Sequence, residues 1–457
     1  MRARSQSATA AISGPRPIPR TGASGTQASV RRAAAGALVG ITLLLVAGCT
    51  GGQPKRSSSS PVSGKHVSVL TTWVGPELDA FRSVVAPFEA QTGIVVDDTT
   101  TTDLRGELRR RIAFGEPPDV SGLVGPGHMA DLARAGLLRD LSGALDIATY
   151  RQQTAPAFVS LGMVDDRLVG AFLRATLKGL VWYDPRSNHL GTPDSWDDLQ
   201  RTALRFSTEA TRPWCVGLES GSASGWPGTD WVESILLRQS GRKVYDQWVA
   251  GALPWTSTEV RSAFSAYLEV VSDDAVAGGA AGALQTDFRS AAEGPFGKPP
   301  ACLYTQGASF TPAFLEAADR EPGRDYDFFP LPAHDPRNAG SMEVAGDMFG
   351  LFSDRPEAAQ LMAWLVGTEA QRIWVEEGTA LSGNLGVSAY PDVVTRREAQ
   401  LLASATDVRF DASDQMDTKV SAAFLAAVLQ VTADPSRLDT VLSRLDQIRS
   451  APQGRTS

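Results

Sequence analysis

The chain has 457 residues, of which 42% are hydrophobic and 21% are charged, so it is long enough for about two to four ordinary domains and is not a disordered chain. Its 43 basic and 51 acidic side chains give a net charge of −8, which excludes a histone-like nucleic-acid binder. Three cysteines cannot build a disulfide framework, and four scattered histidines argue against a dedicated metal site.

The first segment, 1–48, carries six arginines, no lysine and no acidic residue. Removing this +6 from the total of −8 leaves −14 for residues 49–457. An apolar run of 15 residues, 33–47, matches the hydrophobic region of a signal peptide, about 7–15 residues, and is shorter than the roughly 20 that span a bilayer. Small residues before Cys49 resemble a bacterial lipobox. We therefore predict a lipoprotein signal peptide cleaved before Cys49, lipidation of that cysteine, and a flexible tether over 49–65. The alternative is a buried cysteine at the end of a short core helix.

Beyond the tether, short β-rich runs alternate with amphipathic segments. Strands are predicted at 67–70, 94–96, 120–124, 179–183 and 301–304. Apolar residues at i, i+3 and i+4 spacing predict helices at 76–90, 104–114, 129–135, 196–206, 230–240, 260–271, 356–366, 369–376, 418–429 and 437–448. A Gly/Ala-rich segment, 275–284, is predicted to be a loop. This alternation is typical of βαβ units and a largely parallel sheet, the α/β class.

Six motifs make most of the remaining chain similar to a known family. VSVLTTW at 67–73, FEAQTGI at 88–94 and GEPPDV at 115–120 resemble family 1 extracellular solute-binding proteins, the receptors of carbohydrate ABC importers. KGLVWY at 178–183, SGWPGTDW at 224–231 and RFDASDQM at 409–416 resemble the α-glucoside branch of that family. Each motif alone is weakly specific, and their order over some 350 residues carries the resemblance.

The resemblance implies an α/β, two-lobed periplasmic-binding-protein type II fold with hinge crossovers. Lobe 1 would take 66–175 plus 333–380, and lobe 2 would take 176–332 plus 381–457. A sugar is the implied ligand and the transmembrane subunits of an ABC permease are the implied partner. We expect a monomer in an extracytoplasmic location, anchored to the cell membrane through lipidated Cys49, without cofactor, metal or nucleic acid.

Aromatic and acidic side chains are the candidate ligand contacts. Indole rings cover the apolar C–H face of a sugar, and carboxylates and amides bond its hydroxyls. Trp226, between a glycine and a proline before a helix, is predicted to stack on the ligand, with local packing as the alternative. Asp230 is predicted to bind hydroxyls or to cap that helix. Trp73 follows the first strand, where α/β proteins bind ligands, and Trp231 is a further candidate with core packing as its alternative.

A glycine pair and three polar residues complete the predicted site. Gly125 and Gly127 follow the third strand without a GxGxxG pattern or a P-loop lysine, so their backbone N–H groups suit sugar hydroxyls better than phosphate. Maltose-binding relatives carry aromatic and acidic contacts in this loop, which argues against a long maltodextrin groove. The family pattern adds Gln306, Asp347 and Asn384, each of which is also an ordinary turn or cap residue.

The remaining two cysteines form an even pair in a domain predicted to be exported. Cys215 and Cys302 are therefore predicted to form a disulfide, with two buried free thiols as the alternative.

Enzymatic activity is not expected. The chain has no nucleophile elbow, no HExxH and no recognisable acid/base pair, and the acidic series Asp411, Asp414 and Asp417 is interpreted as a helix cap and a solvated face. A secreted carbohydrate-active enzyme and an orphan sugar receptor that signals are the alternatives to a transport receptor. The sequence leaves open which sugar binds.

Overall fold

The computed structural model describes residues 65–186, 192–316, 319–378 and 380–451. Cys49, the predicted signal peptide and all but the last residue of the predicted tether lie outside the described residues. In the part of the chain that is described, no helix combines the length and the apolar character needed to cross a bilayer.

Twelve strands and seventeen α-helices are formed by the described residues. The strands are β1 (Lys65–Thr71), β2 (Ile94–Thr100), β3 (Val120–Leu123), β4 (Met163–Val164), β5 (Arg167–Leu168), β6 (Gly170–Leu177), β7 (Leu180–Tyr183), β8 (Arg212–Cys215), β9 (Cys302–Gly307), β10 (Asp327–Pro330), β11 (Ser341–Leu351) and β12 (Asp407–Phe410). The helices are α1 (Pro76–Thr92), α2 (Leu104–Ala113), α3 (Pro126–Arg134), α4 (Ile147–Gln153), α5 (Pro156–Leu161), α6 (Trp196–Phe206), α7 (Trp226–Val249), α8 (Thr258–Val270), α9 (Gly279–Gln285), α10 (Phe288–Ala292), α11 (Pro312–Glu316), α12 (Pro356–Val366), α13 (Thr368–Glu376), α14 (Val393–Ser404), α15 (Ala412–Gln415), α16 (Thr418–Ala433) and α17 (Leu438–Ser450).

The strands form two main sheets and one small hairpin, β4–β5. The first sheet has the order β12–β11–β3–β1–β2, with β6 on the other edge of β11, and the second has the order β10–β7–β9–β8. β1 is parallel to β2 and β3, but β11 is antiparallel to β3 and β6, and β7 is antiparallel to both of its neighbours. Parallel pairing also joins β11 to β12 and β8 to β9, so both sheets are mixed and the prediction of a largely parallel sheet is wrong. The antiparallel pairs arise because the chain enters β7 and β11 from the other sheet without an intervening α-helix.

Among the described residues, 178–179 carries the chain from the first sheet to the second, 331–340 carries it back, and 411–417 leads from β12 to α16 beside the second sheet. We call these three segments the crossovers. Each sheet has an apolar cluster on one face, and side chains of α16 such as Phe424 pack into the cluster beside the second sheet. A third cluster contains residues of both sheets, among them Val344 of β11 and Trp182 of β7. The lobe boundaries remain a prediction. Within the range 381–457, assigned to lobe 2 from the sequence, β12 pairs with β11 of the first sheet.

The local sequence explains why α1 lies where it does. Its buried face contains Phe81, Val84 and Phe88, and burying each such side chain stabilises the fold by about 1.5–3 kcal/mol. Gly93 ends the helix with φ 69°, and its N–H donates to the Glu89 carbonyl oxygen (2.9 Å).

The Gly/Ala-rich segment predicted as a loop contains the helix α9. Ala283 of α9 is fully buried in the core of the second sheet. Tertiary packing thus overrides the low helix propensity of its glycines, and the loop prediction is wrong over 279–284.

Candidate functional site

Two strands of the first sheet end opposite each other along one edge of β11. β12 pairs in parallel with 341–344 of β11, and β3 pairs in antiparallel with 348–351. The carboxyl ends of β3 and β12 therefore face each other across 345–347. In α/β proteins, ligands bind outside the carboxyl ends of strands at such topological switch points. The topology places a candidate site at the middle of β11.

On the other edge of β11, a β-bulge turns two cationic side chains to one face. Asp347 is opposite Arg174, whereas the next residue of β11 is opposite Phe172, so β6 contains one extra residue. Past the bulge, Arg174 and Lys178 are four residues apart on an extended segment and share a face, since strand side chains alternate. The Lys178 N–H donates to the Glu343 carbonyl oxygen (2.9 Å), which continues the pairing beyond β6. The bulge thus sets which face of the strand pair is charged.

Arg174 is the centre of one wall of the site. Its guanidinium donates to Glu77 Oε1 (2.8 Å) and to the Asp347 carboxylate. Its Cζ lies 5.1 Å from the Trp73 ring centroid and 5.4 Å from that of Trp374. Burial disfavours the charged guanidinium, but the two carboxylates outweigh it, and the pKa of Arg174 lies above its ordinary value. Glu77 and Asp347 are 47% and 32% exposed, so the wall presents two accessible carboxylates held by a buried cation.

Lys178 is the centre of the other wall. Its ammonium donates to Asp230 Oδ1 (2.8 Å) and to the Asp411 carboxylate, and it lies 5.7 Å from the Trp226 ring centroid. All three charged side chains are buried. Burial disfavours the ammonium, but the carboxylates outweigh it and raise the pKa of Lys178. Burial raises the pKa of Asp230 to about 7, whereas Lys178 outweighs burial at Asp411 and lowers the pKa of that carboxyl.

Asp230, Glu343 and Asp411 bring carboxylate oxygens within 4.8 Å of one another, a spacing that suits a cation. The Lys178 ammonium already bonds two of these carboxylates, and Glu343 Oε2 accepts from the Ser234 hydroxyl (2.5 Å). The ammonium therefore supplies the positive charge that a metal ion would otherwise supply there.

Trp226 starts α7 and forms an aromatic surface beside Lys178. Gly225 precedes it with φ 103°, a left-handed conformation that glycine adopts without strain. The ring packs edge-on to Phe288 (5.0 Å between centroids) and Phe310 (6.0 Å) and is partly exposed. Gln306 lines the same small cavity, about 30 Å³, which has room for little more than water. Among the described residues, the Gln306 Nε2 has no hydrogen-bond partner, so it is a donor available to a ligand or water.

The loop after β3 lies against α15. A Cβ on Gly125 would be 2.8 Å from the Asp414 carbonyl oxygen, and one on Gly127 would be 2.7 Å from that of Gln415. Burial and the Arg105 charge lower the pKa of His128 in this loop to about 4, so its imidazole is neutral at pH 7.

The remaining predicted contacts lie in packed surroundings. Trp73 is 2% exposed and stacks on Phe349 (5.1 Å between centroids). Its ring also packs against the Arg174 guanidinium and helps to hold it in place. Trp231 is buried in the core of the second sheet, edge-on to Trp214 (5.0 Å). Asn384 is 5% exposed, and its Oδ1 accepts from the Gly386 N–H (2.9 Å), which holds a turn.

The structure therefore brings Trp226, Asp230, Gln306 and Asp347 to the two walls. Trp231 is buried but lines the same small cavity as Trp226 and Gln306, and Asn384 is packed in a turn. The interpretation of Asp230 as a helix cap is wrong, because Gly225 is the N-cap of α7 and Asp230 pairs with Lys178.

The two cations were not among the residues predicted from the sequence, and part of the acidic series has a different role from the one predicted. Arg174 and Lys178 are the two charged residues in a run, 170–181, that is apolar apart from Thr176, and this pattern was a usable signal. Asp411 caps α15, as expected, but it is buried and ion-paired, so its assignment to a solvated face is wrong. Asp414 lies near the charges of Asp411, Lys178 and Arg105, and burial raises its pKa to about 8.

The predicted bond between Cys215 and Cys302 is present. The two Cα atoms are 5.6 Å apart, and the bond joins β8 to the start of β9 across a sequence separation of 87. The disulfide lies next to Trp226, because Cys215 and Trp226 line the same small cavity.

Comparison with known proteins identifies related receptors. Residues 74–372 match the family model described as bacterial extracellular solute-binding protein. The chain is 34% identical over 382 residues to the osmoprotective compounds-binding protein GgtB of Synechocystis sp., covering 82% of this chain and 89% of that protein. It is 30% identical over 393 residues to the alpha-glucosides-binding periplasmic protein AglE of Rhizobium meliloti, covering 83% and 86%.

A solved structure shows the same fold at low sequence identity. A chitin oligosaccharide binding protein superposes with a TM-score of 0.71 and 15% identity, covering 84% of this chain and 98% of that one. Such neighbours have two lobes and mixed α/β architecture, as the fold described above has two sheets joined by crossovers.

Proposed function

The chain belongs to the bacterial extracellular solute-binding protein family and is a substrate-binding protein of ABC importers for sugars or similar solutes, and from this premise we propose that it captures an α-glucoside or a small oligosaccharide. The relative named for alpha-glucosides supports a glucoside as the ligand, and the relative named for osmoprotective compounds supports binding of a solute. The bound ligand would then be delivered to the permease subunits.

The proposal rests on one observation. Accessible carboxylates and an aromatic ring both lie near the place where β3 and β12 end. Glu77 and Asp347 are fixed by Arg174, and across the crossover Trp226 stands beside the buried Lys178. Charged acceptors bond hydroxyls more strongly than neutral ones, and an indole ring covers the C–H face of a sugar ring. A phosphate ligand would be repelled by the carboxylates of the first wall.

Each proposed contact has a distinct role. Asp347 and Glu77 accept hydrogen bonds from sugar hydroxyls, and Trp226 packs against the ring face. Gln306 donates through Nε2 to a water in the small cavity beside Trp226. Asp230 is proposed to act through Lys178, which it holds beside Trp226. The segments on either side of the three crossovers form the two lobes, and a ligand that contacts both favours the closed form by its differential contacts.

We also propose that the protein is held at the membrane surface by lipid on Cys49. The support is the lipobox-like sequence before Cys49 and the Ser/Gly/Pro tether after it. Cys49→Ala should release the protein into the soluble fraction, and a variant that stays with the membranes would contradict the anchor.

A thermal-shift assay with trehalose, maltose and sucrose, followed by product analysis, tests the function. We expect a raised melting temperature with at least one sugar and no product. Turnover of a sugar would instead favour a carbohydrate-active enzyme, and the absence of any shift would remove these α-glucosides as ligands.

A further inference from the structure

The loop after β3 and the short helix α15 meet backbone to backbone. A Cβ on Gly125 would lie 2.8 Å from the Asp414 carbonyl oxygen and 3.0 Å from Asp414 Cβ, and real Cβ contacts are longer. A Cβ on Gly127 would lie 2.7 Å from the Gln415 carbonyl oxygen and 3.0 Å from that of Met416. Gly125 has φ 161°, an extended backbone open to any residue, so lack of space and not backbone conformation requires glycine there.

Buried carboxylates hold α15 from its other side. Asp411 accepts from the Asp414 N–H (3.0 Å) and from the Ser413 hydroxyl (2.6 Å), and it pairs with Lys178. Glu233 of α7 accepts from the Ala412 N–H (2.5 Å). Because the first N–H groups of α15 are bonded to fixed buried carboxylates, the helix is a rigid surface attached to the core of the second sheet.

A second contact joins the same two layers nearby. Arg105 of α2, which packs on the first sheet, donates to the Thr418 hydroxyl at the start of α16. Burial lowers the pKa of Arg105, although the Asp414, Asp131 and Asp417 carboxylates favour its charge. Burial and the Asp417 charge raise the pKa of Asp131 of α3. The contact at the two glycines is therefore one part of a wider interface between the first-sheet helices and the segment 412–418.

We propose that Gly125 and Gly127 are positioning residues for closure of the ligand cleft, because their missing side chains let the loop dock directly on α15. The inference rests on the proposed function, since it assumes a cleft that opens and closes. The docked contact belongs to the closed form and separates when the cleft opens.

Disulfide trapping tests the contact without a ligand. Gly125→Cys/Asp414→Cys would place the two Cβ atoms 3.0 Å apart, and an outward shift of about 0.5 Å brings them into the range of about 3.5–4.5 Å that a disulfide requires. The full chain should carry Cys49→Ala so that only the new thiols are free. We expect both thiols to disappear on mild oxidation and the radius of gyration, from small-angle X-ray scattering, to decrease relative to the reduced protein. Failure to cross-link, although each single-cysteine variant reacts with a thiol reagent, would overturn the proposal, and so would an unchanged radius of gyration.

Single substitutions provide a second readout if the double variant does not fold. Gly125→Ala should speed hydrogen–deuterium exchange of the α15 amides, 412–415, whereas Gly143→Ala, whose Cβ meets nothing within 4 Å, should leave it unchanged. Equal exchange in both variants contradicts the proposal. The two proposals can fail separately. If the cross-link forms and compacts the protein, the closure contact stands. If trehalose, maltose and sucrose then all fail to raise the melting temperature of the reduced protein, the proposed sugar is wrong.

Discussion

Replacing Lys178 with methionine is expected to destabilise the protein strongly. The ammonium lies 2.8 Å from Asp230 Oδ1 and also bonds Asp411, and all three side chains are buried. Methionine keeps the length of the side chain but leaves the two carboxylates without their cation. Removing one partner of a buried ion pair costs about 3–5 kcal/mol of unfolding free energy. Because two carboxylates depend on Lys178, we expect a loss at the upper end of that range.

Urea unfolding followed by tryptophan fluorescence measures the loss, with Arg372→Met as the matched control. Arg372 also pairs with two carboxylates, those of Glu369 and Glu376, but on an exposed helix face. Solvent screens such pairs, so the control should change the free energy of unfolding far less. Adding Asp411→Asn to Lys178→Met removes one uncompensated charge and should restore part of the stability.

Two results would refute this reasoning. A Lys178→Met variant that loses no more stability than Arg372→Met would show that the buried ion pairs contribute little. A double variant whose loss equals the sum of the single losses would show that Lys178 and Asp411 are not coupled.

Three further predictions concern the ligand, the disulfide and pH. Trp226→Ala should weaken sugar binding by about 1–3 kcal/mol in titration calorimetry, and an unchanged affinity would remove the ring from the site. Replacing Cys215 and Cys302 together by serine should lower the free energy of unfolding by up to about 4–5 kcal/mol, because the bond closes a loop over a sequence separation of 87; a loss below about 1 kcal/mol would contradict this. Burial raises the pKa of Asp230 to about 7 and that of Asp414 to about 8, so the folded protein binds protons more tightly than the unfolded chain. The free energy of unfolding should therefore contain a part that is lost as pH rises from about 4 to about 8, and Asp414→Asn should flatten that slope in urea titrations at pH 5 and pH 8; an unchanged slope contradicts the assignment.

The local sequence pattern was enough to predict individual helices such as α1. The spacing of Phe81, Val84 and Phe88 with Gly93 after them defines α1 almost to the residue, because an amphipathic face and a glycine cap are short-range signals. The strand directions around β11 could not be predicted in the same way. Whether β11 runs parallel or antiparallel to β3 depends on where the chain returns from the second sheet some 220 residues later, and periodicity carries no information about that.

The candidate site was predicted in part for a similar reason. Trp226 and Asp347 stand in recognisable local settings next to glycines, Trp226 at the start of α7 and Asp347 in the middle of β11. Arg174 and Lys178 became functional candidates only when the β-bulge turned them to one face and the fold brought Glu77 and Asp411 to them from distant segments. Asn384 shows the opposite case, since its local setting suits a ligand but the fold uses its amide to hold a turn.

Hydrogen–deuterium exchange with and without the sugar that gives the largest thermal shift tests the central claim most directly. If the ligand lies where β3 and β12 end, between the Arg174 wall and the Lys178 wall, the sugar should slow exchange in four segments together: 123–128, 174–178, 226–230 and 409–415. Protection confined to other segments, or no change in any of the four, would contradict the placement of the ligand at this site.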